Sequence, residues 1–179
     1  MKAAAADVAE RLQRALQRAR LRVDARWVPE ANLHVTLWFI GEVDEEGAAN
    51  ISEALQVPLA VSPFTLTAAG IGAFPASGPL RVLWIGIRSG TDALTKMHAD
   101  LTRRFSLLGL QGEQRPYSAH LTIARVKDVR RSDVSRVRQL LTRIPADAGS
   151  TTITSATLFR SRVSSKGSTY EPLLRIRLA

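Results

Sequence analysis

Apolar and polar positions along the chain follow two rhythms, one near 3.6 residues and one of two. The switches between them divide the sequence into elements. Val8, Leu12, Leu16 and Ala19 recur at three- and four-residue steps, with Arg11, Arg14, Arg18 and Arg22 mostly off that stripe; this predicts a helix over residues 3–21. The stripe is narrow and partly alanine, so the helix is expected to pack on a sheet rather than lie on a membrane. Pro29 breaks the chain, and the β-branched and aromatic run from Leu33 to Ile40 predicts a strand over 33–40. Asp44 is placed to cap a helix over about 45–56 that buries Ile51 and Leu55.

The same reading predicts a strand from Phe64 to Gly70, a Gly- and Pro-rich loop over 71–79, and a central strand from Leu80 to Ile87. Helical spacing returns from Gly90 to Leu108, where Leu94, Met97, Leu101, Phe105 and Leu108 share a side and Gly109 stands where the helix should stop. Pro116 precedes a strand at about 119–126, and Ser132 or Asp133 caps a helix ending near Ile144, before Pro145. Strands at about 152–162 and 171–178 close the chain, with a turn over 164–168. Helices mixed with successive strands exclude a purely parallel sheet and predict two small α+β lobes with no linker between them.

Composition narrows the chemistry. The 179 residues include no cysteine, which excludes a thiolate nucleophile, a disulfide framework and a Cys-ligated metal. Lys and Arg number 25 against 16 Asp and Glu, a net charge of +9 that favours an anionic partner without choosing among a nucleic acid, a nucleotide, a phosphorylated metabolite and an anionic lipid. The absence of an 18-residue apolar run and the early charges at Lys2 and Asp7 predict a cytoplasmic protein without a membrane span.

One pattern occurs twice. Leu33-His34-Val35-Thr36-Leu37 and Ala119-His120-Leu121-Thr122-Ile123 share the order His, apolar, Thr, apolar, 86 residues apart, each shortly after a proline. Residues i and i+2 of a strand share a face, so each His and its Thr should point one way and the apolar residues into the core. Two such strands related by a pseudo-two-fold axis would frame a cleft with two imidazoles and two hydroxyls. One imidazole can take a proton while the other gives one, and the hydroxyls can donate to phosphate oxygens. Two of the three histidines occupy these motifs; the third, His98, falls in a helix and reads as a surface or half-buried residue. Two histidines without a nearby carboxylate make an incomplete metal site, so no metal is expected.

These motifs resemble the 2H phosphoesterase superfamily, and within it the bacterial and archaeal RNA 2',3'-cyclic phosphodiesterases, once described as 2'-5' RNA ligases. The resemblance extends over Asn32–Leu37 and Phe39–Val43, Arg81–Gly86, Pro116–Arg125, Leu158–Ser161 and Tyr170–Leu173. It implies one domain over 1–179 made of two intertwined pseudo-symmetric lobes, each an antiparallel sheet with helices packed outside, around a central basic cleft. The first motif stands at 34–36 and the second at 120–122. It implies hydrolysis of a terminal 2',3'-cyclic phosphate on RNA to a 2'-phosphomonoester with no cofactor, and reversible 2'-5' ligation in the same cleft. His34 would be the proton donor, His120 the proton acceptor, and Thr36 and Thr122 the phosphate holders.

Arg125 lies five positions after His120, so it reaches the same face only through a bulge or at the strand's end. Arg81 and Lys166 are candidate contacts to the RNA backbone, and Trp38, Tyr117 and Phe74 candidate stacking residues. Relatives usually begin with a short apolar strand, whereas this sequence opens directly on a helix. A monomer is expected, with dimerisation if that difference leaves an open sheet edge. Two other readings share the features: a phosphodiesterase for a small nucleotide-like cyclic phosphate, and a non-catalytic RNA-binding module that would leave the doubled histidines unexplained.

Overall fold

The computed structural model describes residues 1–164 and 167–179. Among them, in chain order, are α1 (Lys2–Arg18), β1 (Val23–Trp27), α2 (Glu45–Ala54), β2 (Phe64–Phe74), β3 (Val82–Ser89), α3 (Thr91–Ser106), β4 (His120–Val129), α4 (Val134–Arg143), β5 (Asp147–Ile153), β6 (Ser155–Ser164) and β7 (Gly167–Arg177). The chain divides into two compact units, each built from three separated stretches.

The first unit comprises Met1–Val35, Leu66–Ser89 and His120–Thr151. Its sheet has the order β1-β4-β3-β2-β5, and β1–β4, β4–β3 and β3–β2 pair antiparallel. One face is apolar: Leu83, Ile85, Leu121, Ile123 and Ala124 are at most 1% exposed. Helix α1 turns Ala5, Val8, Ala9, Leu12 and Leu16 inward and packs against β4 and α4, which buries Val137 and Leu141. Each fully buried aliphatic side chain stabilises by about 1.5–3 kcal/mol, so this face is the main anchor of the unit. Arg11 Nη1 also donates to the Pro145 carbonyl at 3.0 Å, fastening α1 beside the end of α4.

The second unit comprises Thr36–Thr65, Gly90–Ala119 and Thr152–Ala179. It holds α2 against α3 and the antiparallel hairpin β6–β7. The Asp44 carboxylate caps α2 by accepting from the Gly47 N–H at 2.8 Å, as its position predicts. Beside the hairpin, Leu59 forms a parallel bridge with Leu178. Arg104 on α3 is 9% exposed and donates to the carbonyls of Ala54, Val57 and Pro58 at 3.2, 2.6 and 2.7 Å. Its other partner is the Asp100 carboxylate, at 2.8 Å.

Four expectations need correction. The strand over 33–40 does not form; only Val35 is bridged, to Leu121, and Phe39 is 65% exposed. A run of β-branched and aromatic residues makes a ladder only where a neighbouring strand supplies it. The stretch between the first helix and Pro29, where the pattern predicts no element, contains β1, an edge strand in which exposed Asp24 and Arg26 alternate with half-buried neighbours. The loop expected from residue 71 begins later, because β2 continues to Phe74. Residues 147–153 form a strand of their own, separated from β6 at Thr154.

Candidate active site

Strand β4 carries most of the candidate chemistry. His120 and Thr122 share its open face, while Leu121 and Ile123 are buried on the other. The register against β3 then slips: Leu83 pairs with Ala124 but Trp84 pairs with Thr122, so Ile123 has no partner of its own on β3. This bulge lets Ile123 and Ala124 both turn inward, each 0% exposed, and returns Arg125 to the side of His120 and Thr122. Arg26 of β1 pairs with Arg125, which adds a second guanidinium to that face.

The first motif joins β4 through the antiparallel bridge between Val35 and Leu121. Cross-strand partners share a face, so Val35 sides with buried Leu121 and His34, one residue earlier, sides with Thr122. His34 Nδ1 lies 2.7 Å from the Asn32 carbonyl oxygen. A carbonyl only accepts, so Nδ1 carries a proton and Nε2 is the nitrogen through which the ring gains and loses charge.

Two aromatic rings stand on one side of His120. Phe74 meets it edge to face with centroids 5.0 Å apart, and Trp84 stands at 6.4 Å. Trp84 also lies against Phe74 at 5.1 Å, over Gly72 of the neighbouring strand. A Cβ at Gly72 would come within 2.2 Å of the indole, so the ring occupies space that only glycine leaves open. The indole Nε1 is buried without a hydrogen-bond partner. Sequence pattern alone misses the parts played by Trp84 and Gly72. Each resembles a residue of a buried strand or loop until the register of β2 against β3 is known.

The remaining candidates separate. Arg81 is exposed just before β3; its N–H donates to the Phe74 carbonyl, and its own carbonyl accepts from Val126, both at 2.8 Å. In the second unit, the half-buried Trp38 donates from Nε1 to Thr102 Oγ1 at 3.1 Å and meets Phe105 edge to face at 4.9 Å. These contacts pack its ring on α3. Tyr117 stacks on His98 with centroids 4.5 Å apart, and its hydroxyl donates to the Thr36 carbonyl at 3.2 Å. Burial pushes the Tyr117 phenol up to about 12 and lowers the pKa of His98. Lys166 lies outside the described residues. No group of three His, Cys, Asp or Glu side chains close enough to hold a metal ion occurs among the described residues.

Comparison with known proteins gives a consistent result. The family model described as LigT like Phosphoesterase matches residues 1–84 and again residues 85–170. The RNA 2',3'-cyclic phosphodiesterase of Aeropyrum pernix is 31% identical over 157 residues, covering 88% of each chain. That of Methanothermobacter thermautotrophicus is 30% identical over 174 residues, 96% of this chain and 91% of the relative. Among solved structures, a Thermus thermophilus protein superposes with a TM-score of 0.73 at 25% identity, covering 96% of this chain and 92% of its own. Escherichia coli LigT complexed with 3'-AMP gives 0.70 at 26% identity, covering 97% and 92%.

Proposed function

We propose, since the chain belongs to the LigT-like phosphoesterase family within the 2H phosphoesterases, that it hydrolyses 2',3'-cyclic phosphate ends of RNA, with His34 and His120 moving the protons. The enzyme is a hydrolase of the RNA 2',3'-cyclic phosphodiesterase class. The observation that carries the two-histidine reading is the Val35–Leu121 bridge, which sets the two His-x-Thr motifs beside each other on antiparallel backbone.

The steps follow from the groups. Neutral His120 takes a proton from water as the water oxygen attacks phosphorus. Protonated His34 gives its Nε2 proton to the departing 3' oxygen as the P–O3' bond breaks. A 2'-phosphomonoester and a 3'-hydroxyl result, and the two rings exchange charge states with solvent before the next turnover. The hydrogen bond from His34 Nδ1 to the Asn32 carbonyl supports this role, because it persists in both charge states and keeps Nε2 as the working atom. Thr122, and Thr36 as its counterpart in the first motif, donate to the non-bridging oxygens, and Arg125 offsets their charge.

The test uses a short RNA ending in a 2',3'-cyclic phosphate, with EDTA present, and resolves 2'- from 3'-phosphate products. A 2'-phosphate product is expected, with kcat/KM bell-shaped in pH because the two rings must begin in opposite charge states. His34→Ala and His120→Ala should each reduce turnover by about 10²–10⁴-fold with an unchanged melting curve. Turnover abolished by EDTA, or a rate rising without a maximum through pH 9, would overturn the mechanism.

A further inference from the structure

The hairpin β6–β7 has two faces of different character. Strand β6 pairs Ser155 with Arg177, Thr157 with Arg175, Phe159 with Pro172 and Ser161 with Tyr170. These positions alternate along β6, so all eight side chains share one face. The other face buries Ile176 and, toward the hairpin's turn, sets Arg162 3.9 Å from the Glu171 carboxylate. The eight side chains of the first face include no carboxylate. Arg175 and Arg177 are exposed and take part in no ion pair among the described residues.

This face is built rather than random. Arg175 Nε donates to Ser155 Oγ at 2.8 Å, which fixes the guanidinium on the strand. Phe159, 43% exposed, meets Tyr170 edge to face with centroids 6.1 Å apart. Two adjoining shallow depressions of about 290 and 480 Å³ share Ser155 and Arg175 in their walls, and Arg177 lines the larger one. From Ser155 to Ser161 the row runs about 20 Å at the rise of a strand, too long for a single phosphate group.

We infer that this face of the hairpin binds the sugar–phosphate backbone of single-stranded RNA, with Arg175 and Arg177 at phosphates and Phe159 against a base. Arginines outside ion pairs on the same face as an exposed aromatic ring are the chemistry that single-stranded nucleic acid selects, and it is sequence-tolerant because every base has a face. The identity of the polyanion rests on the RNA reading above. The surface itself does not.

The test separates the two. Wild type, Arg175→Gln/Arg177→Gln and Phe159→Ala are compared on a 2',3'-cyclic mononucleotide and on a ten-nucleotide RNA with a cyclic end. The same proteins are also titrated by fluorescence anisotropy with a labelled decanucleotide RNA ending in an ordinary hydroxyl. Loss of two phosphate contacts should raise the decanucleotide Kd and KM about tenfold near 0.15 M salt and flatten the log Kd against log salt slope by about 1.4. Phe159→Ala should weaken decanucleotide binding at least about fivefold. Mononucleotide kcat/KM should change less than twofold. Arg175→Lys/Arg177→Lys should keep the salt slope, since the charges remain. An unchanged decanucleotide Kd and slope in the glutamine variant overturns the inference, and so does an equal loss on both substrates. The anisotropy titration tests the surface even if neither substrate is hydrolysed, an outcome that would count against the catalytic reading alone.

Discussion

Tyr117 connects the first motif to α3 with one side chain. Its ring lies on His98 and its hydroxyl holds the Thr36 carbonyl at 3.2 Å. Burial pushes its pKa up to about 12, so the phenol remains a donor at every pH at which the enzyme works. Tyr117→Phe keeps the ring and removes only the donor. It should lower stability by about 0.5–1.5 kcal/mol. On the proposed role of Thr36 as a phosphate holder, it should also reduce kcat about tenfold with KM little changed. Equal kcat in the two proteins would show that the hydroxyl holds structure alone. By linkage, the raised phenol pKa adds stability below about pH 10 that is lost as pH rises toward about 12, and the Phe variant should lack that loss. Arg104 has a purely structural task. Burial pushes the Asp100 carboxyl up, but hydrogen bonds and charge from Arg104 and Arg103 outweigh this and hold it below its ordinary value of 3.8. Arg104→Ala removes the partner of three carbonyls and leaves Asp100, 11% exposed in the intact protein, with only Arg103. Urea melts should show a loss of about 3–5 kcal/mol, with no pH dependence above about 5, where Asp100 stays ionised in both folded and unfolded chains.

At the scale of elements, strand pairing decides which side chains reach the site. Gly72 leaves room for the Trp84 indole near His120, and a Cβ there would stand 2.2 Å from the ring. Gly72→Val should therefore displace the indole, lower stability by about 1–3 kcal/mol and change the near-ultraviolet circular dichroism of tryptophan. Phe74 lies against both Trp84 and His120, so on the proposed role of His120 turnover should fall with it; unchanged turnover in a folded variant would show that the aromatic pair does not position that ring. Local pattern is enough to read α1, α2 with its Asp44 cap, β3, α3, β4 and α4, since each carries its own periodicity or cap. The strands that it misreads depend on distant partners. β1 is five residues long and exists through β4, about a hundred residues later, while the apolar run at 37–40 has no ladder and sends Trp38 to Thr102 and Phe105. The face shared by His120, Thr122 and Arg125 is half legible in the sequence. Alternation places the first two, but Arg125 requires the slip at Ile123, which appears only in the register with β3.

At the scale of the whole molecule, the repeat in the sequence and the division of the structure run across each other. One family model matches residues 1–84 and 85–170, yet the structural units do not follow those halves: each takes stretches from both, and the five-stranded sheet of the first unit joins β1, β2 and part of β3 with β4 and β5 of the second half. What the entire chain shares is its charge of +9, a self-repulsion that an RNA ligand or salt relieves. The melting temperature at pH 7 should rise with sodium chloride, most steeply between 0.01 and 0.1 M, where the Debye length falls from about 30 to about 10 Å. Acidification adds a second, local effect. Burial holds folded His98 below its ordinary value of 6.5, so the unfolded chain takes up that proton first. The stability involved is present above about pH 6.5 and is lost as pH falls toward the folded value. Salt screens the long-range repulsion but not the burial of a ring stacked on Tyr117. Between pH 7 and pH 5, 0.5 M sodium chloride should therefore recover only part of the fall in melting temperature. His98→Phe, which keeps a flat ring against Tyr117 and cannot take a proton, should shrink the part that salt leaves. If high salt abolished the fall in wild type, or His98→Phe left the residual fall unchanged, the acid sensitivity would belong to net charge or to another group and not to His98.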